Sequence, residues 1–208
     1  MAWEQLRSSY DAVARKYEAR FLDELNDKPR DRELLKAFAA SVSDPVVEVG
    51  SGPGQVGAFV RQRGRRVFGL DRSAQMARLA KHRLDGALVA DMRWLPLASE
   101  RLGGLVAFYS LIHLRRHELA TALREFHRVL QPGGRVLFSA HEGQGELEHD
   151  QFLDEPVPIV ATLFELDELV DASEAAGLRV TRAERRIPYA SESTVRLYVE
   201  ATRPGVQV

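Results

Sequence analysis

Short apolar runs alternate with helical patterns along most of the chain, and this alternation constrains the fold more than any other feature. Segments typical of strands are "PVVEVG", "RRVFGLD", "GALVAD", "GGLVAFYS" and "PGGRVLFSA", and the stretches between them carry apolar residues three and four positions apart. Strands this apolar are buried on both faces, as in a parallel sheet covered by helices on both sides. The sequence therefore predicts an α/β protein with a doubly wound sheet.

Both ends of the chain depart from this alternation. Two helical stripes precede residue 45, and Pro29 separates them. Near the other end, "LFELDELVDASEAAG" predicts a helix that Gly177 closes. The next segment, "LRVTRAERRIPYASESTVRLYVEAT", predicts two strands joined by a short loop. We find no linker and no repeat, so residues 1–208 are expected to form a single domain.

Composition bounds the possible partners. The 208 residues are 45% hydrophobic and 28% charged, as in ordinary globular proteins, and the net charge of -1 gives no general attraction to nucleic acid or anionic lipid. No apolar run is long enough for a membrane span, and the N-terminus does not resemble a secretory signal. Cysteine is absent, which excludes disulfides and thiolate chemistry. We expect a cytoplasmic protein without membrane or nucleic-acid partners; oligomeric state is not indicated.

The stretch "VVEVGSGPGQVGAFV" from Val46 to Val60 runs from an apolar strand into a cluster of glycines. Glycine lets the main chain approach a ligand where a Cβ would clash, and it tolerates positive φ in sharp turns. In doubly wound sheets, ligands bind beyond the carboxyl ends of the strands. A ligand-binding loop is therefore predicted directly after the first strand, with the acid Glu48 just upstream.

A dinucleotide is the first ligand to consider for this loop. Gly52, Gly54 and Gly57 satisfy the dinucleotide pattern G-x-G-x-x-G, and Asp71 ends the next strand about 20 residues on. Counting from Gly50, the first glycine after the strand, places glutamine where the third glycine belongs. Glu48 also favours a ligand with positive charge or hydrogen-bond donors over a diphosphate. A NAD(P)-dependent oxidoreductase remains the alternative.

From Tyr10 to Arg203 the chain resembles a class I S-adenosylmethionine-dependent methyltransferase of bacterial, small-molecule type. The first motif of that family, acid-x-Gly-x-Gly-x-Gly, stands here as "EVGSGPG", from Glu48 to Gly54. The resemblance implies a Rossmann-like seven-stranded sheet of order 3-2-1-4-5-7-6, its last strand antiparallel, with N-terminal helices. It also implies S-adenosyl-L-methionine as the cofactor and S-adenosyl-L-homocysteine as the product.

The resemblance also implies which residues bind the cofactor. Asp71, which ends the second strand, would accept from both ribose hydroxyls, and Asp91, which ends the third, from the adenine amino group. The family's fourth strand usually opens with an aspartate, whereas this chain has Gly103 and Gly104 there. The expected cofactor-binding set is Glu48, Gly50, Ser51, Gly52, Gly54, Asp71, Arg72, Met76, Asp91, Met92, Tyr109 and Ser110.

The acceptor is predicted by elimination. After the fourth strand, "FYSLIHL" lacks the Asn/Asp-Pro-Pro-aromatic motif of DNA amino methyltransferases and the acidic ligands of metal-dependent catechol enzymes. No basic stripe with interleaved aromatic residues indicates RNA binding. We therefore expect a methyltransferase that acts on an N, O or carboxylate nucleophile of a small molecule without a metal. A non-catalytic module that binds S-adenosylmethionine is a further alternative.

Few residues qualify as acceptor-side groups. His113 is the candidate base, although a histidine at the start of a helix is more often structural. The expected substrate-binding set is Tyr10, Tyr17, His141, Tyr189 and Arg196. Residues 1–44 would then form a helical cap, 45–142 the cofactor-binding core, and 143–208 an irregular acidic lid, a helix and the last strands. The lid favours a cationic acceptor and Arg196 a carboxylate, so the acceptor's charge stays open.

Overall fold

The computed structural model describes residues 2–190 and 192–205, whose centre is a seven-stranded sheet. Its strands are β1 (Val46–Val49), β2 (Val67–Asp71), β3 (Gly86–Val89), β4 (Leu102–Phe108), β5 (Leu130–His141), β8 (Arg179–Arg186) and β9 (Arg196–Thr202). Their order is β3-β2-β1-β4-β5-β9-β8. Strands β1 to β5 pair in parallel, and β9 runs antiparallel to both its neighbours. Since β8 and β9 are the sixth and seventh strands of this sheet, the predicted order 3-2-1-4-5-7-6 is confirmed.

Helices cover both faces of the sheet, as the apolar strands predict. The α-helices are α1 (Ala2–Phe21), α2 (Pro29–Ser41), α3 (Gln55–Arg61), α4 (Ala74–Ala80), α5 (Leu119–Val129) and α6 (Leu166–Ala175). One buried apolar cluster joins α2, α3 and α4 to one face of the sheet, and another joins α5 and α6 to the opposite face. In the described part of the chain, no helix has the length and apolarity needed to cross a bilayer.

Gly103 and Gly104 have a packing role at the start of β4. A Cβ on Gly103 would lie 2.1 Å from the carbonyl oxygen of Ser43, and one on Gly104 would lie 2.9 Å from the ring of Phe38. Both distances are shorter than van der Waals contact. The absence of side chains here therefore lets the strand approach the end of α2 closely.

The segment after β5 is more regular than its sequence predicts. In place of an irregular lid, β6 (Glu146–His149) and β7 (Ile159–Thr162) form a two-stranded antiparallel sheet. Ile159 and Val160 are buried against Leu6 of α1, and this packing stabilises a strand that its polar surroundings do not indicate. The expectation of an irregular lid is therefore wrong, and α1 together with the β6–β7 sheet forms what we call the cover.

Polar contacts hold α1 in the cover. Asp11 accepts hydrogen bonds from the Ser73 hydroxyl at 2.6 Å and from the Gln75 amide at 3.1 Å, at the start of α4. Glu18 pairs with Arg83 at 2.7 Å, nearer the other end of α1. Because α1 is tied at several points along its length, it has a defined position over the carboxyl ends of the central strands.

Candidate functional site

A two-lobed cavity lies beneath α1 at the carboxyl ends of β1, β2 and β4. The inner lobe contains about 680 Å³ of space and the outer lobe about 1300 Å³, each including the part open to solvent. Residues that line both lobes are Tyr10, Tyr17, Gly50, Gly52, Phe108, Tyr109 and His113. The two lobes therefore meet beside the glycine loop, where a doubly wound sheet places its ligands.

The glycine loop needs its glycines for steric reasons. Gly50, Gly52 and Gly54 have φ values of +67°, +51° and +89°, in the left-handed region that side chains disfavour. A Cβ on Gly50 would also lie 2.2 Å from the Cβ of Ser110. The loop consequently packs its backbone directly against the end of β4.

The buried side chain of Glu48 stabilises the end of this loop through a hydrogen bond. Its carboxylate accepts a hydrogen bond from the amide of Gly57 at 2.9 Å and so takes the place of a side-chain cap for α3, whose N-cap residue is Gly54. Burial raises the pKa of the Glu48 carboxyl well above its usual value. Glu48 also lines the outer lobe, so it both supports the loop and faces the cavity.

Asp71 connects the loop to the second strand. One carboxylate oxygen accepts from the Gly52 amide and the other from the Ser73 amide, both at 2.8 Å. Each oxygen has a second lone pair, so the carboxylate retains acceptor capacity towards the inner lobe that it lines. Burial raises the pKa of Asp71 to about 6.

Most of the other expected cofactor residues line the cavity, and two do not. Arg72, Met76, Met92 and Ser110 line the inner lobe, and Ser51 lines the outer lobe. Gly54 and Asp91 line neither lobe.

Asp91 is instead engaged by its neighbours. It accepts from the Arg93 backbone amide and from two guanidinium nitrogens of Arg93, and Arg72 lies 3.4 Å away. Burial opposes ionisation, but the hydrogen bonds from Arg93 prevail and lower the pKa of Asp91. This pairing could have been predicted from the sequence, because Arg93 lies only two residues after Asp91.

Tyr109 occupies the junction of the two lobes in a strained conformation. Its φ of +52° is uncommon for a residue with a side chain. Its hydroxyl donates to a carboxylate oxygen of Asp31 at 2.7 Å, and the Tyr198 hydroxyl donates to the other. Asp31 on α2 is fully buried and was not among the predicted site residues. An acid in the first turn of a helix is ordinary, so no sequence pattern indicates this role.

His113 is bonded at both ring nitrogens. Nδ1 lies 2.9 Å from the carbonyl oxygen of Val160 and must donate to it, so in the neutral ring Nε2 accepts from the Tyr10 hydroxyl at 2.6 Å. Burial lowers the pKa of His113 to about 4, which keeps the ring neutral at physiological pH. The residue thus links the end of β4 to both parts of the cover, β7 and α1.

We expect His113→Ala to loosen the cover, because it removes both hydrogen bonds at once. The predicted loss is about 1–3 kcal/mol of unfolding free energy, with faster proteolysis and amide exchange in α1. His117→Ala, four residues away and exposed, is the matched control. A variant that keeps the stability and protection of α1 yet loses all turnover would instead mark His113 as a base.

The outer lobe brings together most of the predicted acceptor-side residues. Tyr10, Tyr17, His141 and Arg196 all line it. Tyr189 lies elsewhere, on the surface, where its ring stacks on a guanidinium and its hydroxyl accepts a backbone hydrogen bond. Among the described residues, no group of three or more His, Asp or Glu side chains is arranged to hold a metal ion.

Comparison with known proteins adds independent information. A family model described as a methyltransferase domain matches residues 47–138. An uncharacterized methyltransferase of Geobacillus kaustophilus is 29% identical over 140 residues, 66% of this chain and 64% of its own. A ubiquinone/menaquinone biosynthesis C-methyltransferase of Rubrivivax gelatinosus is 30% identical over 144 residues, 64% of this chain and 55% of its own. The chain therefore matches less than two thirds of the length of these relatives.

The fold has a clear counterpart among solved structures. A methyltransferase of Methanosarcina mazei described as SAM-dependent superimposes with a TM-score of 0.70 at 15% identity. The match covers 78% of this chain and 93% of that one. The two proteins thus share their fold over nearly the full length of the Methanosarcina mazei protein.

Proposed function

We propose that the chain is a class I S-adenosylmethionine-dependent methyltransferase that transfers a methyl group to a nucleophile of a small molecule. One observation carries the proposal. The glycine loop and Asp71 line one lobe of a cavity whose second lobe opens from it beside Tyr109. A cofactor and an acceptor bound in adjoining lobes would meet at that junction.

The residues present suit the cofactor. Asp71 has lone pairs left for two ribose hydroxyls, and the bare backbone at Gly50 and Gly52 allows close approach. Met76 and Met92 offer apolar surface beside an adenine ring. Bound S-adenosylmethionine supplies a sulfonium-activated methyl group. These side chains fit its hydrogen-bonding and apolar parts, which supports assigning the inner lobe to it.

The contribution of the chain itself would be mostly orientation. In-line transfer from a good leaving group gains most of its rate from alignment of the reacting atoms and needs a base only if the acceptor must lose a proton. The hydrogen-bonded mounting of Tyr109 and the cover above the cavity would support such alignment. The relative named for quinone biosynthesis supports a small-molecule acceptor.

Calorimetry tests the proposal directly. S-adenosylmethionine and S-adenosylhomocysteine should bind the purified protein with micromolar dissociation constants, and NADH should not bind. Binding of NADH alone would favour the oxidoreductase alternative. Binding of S-adenosylmethionine without methyl transfer to any acceptor in a broad screen would favour a non-catalytic module.

Cofactor affinity should fall as the pH falls through about 6. Ribose hydroxyls donate to the ionised carboxylate of Asp71, whose pKa burial raises to about 6, so binding is strongest above that pH. Below it, the dissociation constant should rise by up to about tenfold per pH unit. Asp71→Asn, which has no proton to gain, should flatten the profile between pH 5 and 7. A profile that Asp71→Asn leaves unchanged would assign the titration to another group.

A further inference from the structure

The outer lobe has two aromatic walls. On the α1 side, the rings of Tyr10, Tyr17 and Phe152 lie within 5.9 to 6.3 Å of one another, centroid to centroid. On the sheet side, the Tyr109 and His141 rings make an edge contact at 5.6 Å. A planar aromatic molecule suits a space bounded in this way, because its faces and edges can all find ring partners.

Two donors face this space from adjacent strands. His141 on β5 pairs directly with Arg196 on β9 in the antiparallel register, so their side chains are close neighbours. The ring nitrogens of His141 make no hydrogen bond to the described residues. Arg196 uses Nη1 for Thr194, and its Nη2 has no hydrogen-bond partner in residues 2–190 and 192–205. Each side chain thus has an N–H available for a ligand.

Cations outweigh anions around His141. Beside the effect of burial, the charges of Arg196 and Lys28 lower the pKa of His141 and that of Glu192 raises it. Glu192 is already held by both terminal nitrogens of Arg186. Burial and then the Arg196 charge lower the pKa of His141 to about 3, so the ring is a neutral donor at working pH. A developing negative charge on a ligand oxygen would be stabilised here.

We propose, on the basis of the function proposed above, that the acceptor is a phenol-type aromatic hydroxyl, bound as its phenolate by the Nη2–H of Arg196 and a ring N–H of His141. The acceptor's O–H proton passes to solvent on binding. In the transfer, the acceptor oxygen forms its bond to the methyl carbon while the carbon–sulfur bond breaks, and the sulfur keeps the electron pair. The product is an aryl methyl ether, and the sulfur leaves without charge.

Other acceptor classes fit less well. A carboxylate prefers the two parallel donors of an arginine fork, but Arg196 has Nη1 committed to Thr194 and Nε 3.4 Å from Glu192. Nε makes no hydrogen bond, but Glu192 at 3.4 Å would repel a second carboxylate oxygen placed beside it. Nη2 therefore suits a ligand with one oxygen. An ammonium group would meet Lys28 and Arg196. The acids Glu24 and Glu192 near it are already paired with cations.

Three probes that share one ring system separate these classes: 2-naphthol, 2-naphthoate and 2-(aminomethyl)naphthalene. Calorimetry without cofactor should show at least tenfold tighter binding of the naphthol than of the other two. Fluorescence and absorbance report naphthol ionisation directly, and the pKa of the bound naphthol should lie about 1–3 units below that of the free compound. Equal or tighter binding of the carboxylate or the amine would overturn the proposal.

Variants test the two donors. Arg196→Gln should abolish most of the shift in naphthol pKa. His141→Asn, which retains an N–H donor, should preserve it better than His141→Phe. Arg185→Gln is the matched control, because Arg185 pairs with Glu142 outside the cavity. A shift that survives both Arg196→Gln and His141→Phe in folded proteins would remove these donors from the proposal.

Binding of S-adenosylmethionine, measured on the same samples, distinguishes a failure of the acceptor proposal from a failure of the proposed methyltransferase activity. Normal cofactor binding with no preference for naphthol rejects the acceptor class alone. Absent cofactor binding rejects the proposed methyltransferase activity, whatever the naphthol does. With labelled cofactor, naphthol should also be the probe that gains a methyl group.

Discussion

Replacing Gly50 with alanine is expected to lower the free energy of unfolding by about 2–5 kcal/mol and to abolish cofactor binding. Two costs combine. A side chain at φ +67° costs about 1–2 kcal/mol, and a Cβ placed 2.2 Å from that of Ser110 forces the loop and the end of β4 apart at about 1–3 kcal/mol more. Denaturant unfolding and calorimetry measure the two effects.

Other glycines of the chain provide the control for this variant. Gly64 and Gly133 have φ values of +83° and +80°, and a Cβ on either would meet no atom within 4 Å. Alanine at these positions should cost only the backbone term, about 1–2 kcal/mol. Ser110→Gly in the Gly50→Ala background should recover part of the loss by removing the opposing Cβ. If Gly50→Ala costs no more than Gly133→Ala, the close packing of the loop against β4 is not as described.

Asp71→Ala should weaken S-adenosylmethionine binding by about 30-fold to 1000-fold. Two hydrogen bonds from ribose hydroxyls to a charged acceptor, each contributing about 1.5–3 kcal/mol, would be lost, partly compensated by water. The variant also leaves the Gly52 and Ser73 amides without their acceptor, so the melting temperature should fall. Calorimetry and thermal unfolding report these two consequences separately.

Control variants distinguish the roles of this carboxylate. Asp150→Ala, at an exposed position beyond β6, should change neither quantity. Asp71→Asn keeps the shape but turns one acceptor into a donor opposite a backbone N–H, so it should destabilise the loop as well. Unchanged cofactor affinity in folded Asp71→Ala protein would contradict the assignment of the inner lobe to the ribose.

Features that depend on local sequence could be predicted. The sheet order follows from strand–helix alternation together with the family resemblance, because each element is marked by its own periodicity. The glycine loop was found for the same reason, since a turn of this kind demands glycine at fixed spacings. Asp71 was identified from the family resemblance, as the acid that ends the second strand. These signals lie within a few residues of the structure that they describe.

Features that depend on contacts between residues far apart in the sequence could not be predicted. Asp31 meets Tyr109 and Tyr198 across 78 and 167 positions of the chain, and no pattern around it differs from an ordinary helix start. The strand β7 packs against α1, although its own sequence is short and two prolines precede it. Tyr189 was expected at the cavity from its place near the sheet edge, but its ring stacks on the guanidinium of Arg186 and does not line either lobe.

The Asp31 contacts also bear on the order in which the protein can fold. A contact across 167 residues closes nearly the whole chain into a loop, and its entropic cost is met only after shorter-range pairings have formed. The same holds for the hydrogen bond between Tyr10 and His113, which spans 103 residues. We therefore expect the parallel strands β1 to β5 to assemble first and the cavity to reach its final geometry last, when α1 and β9 have docked.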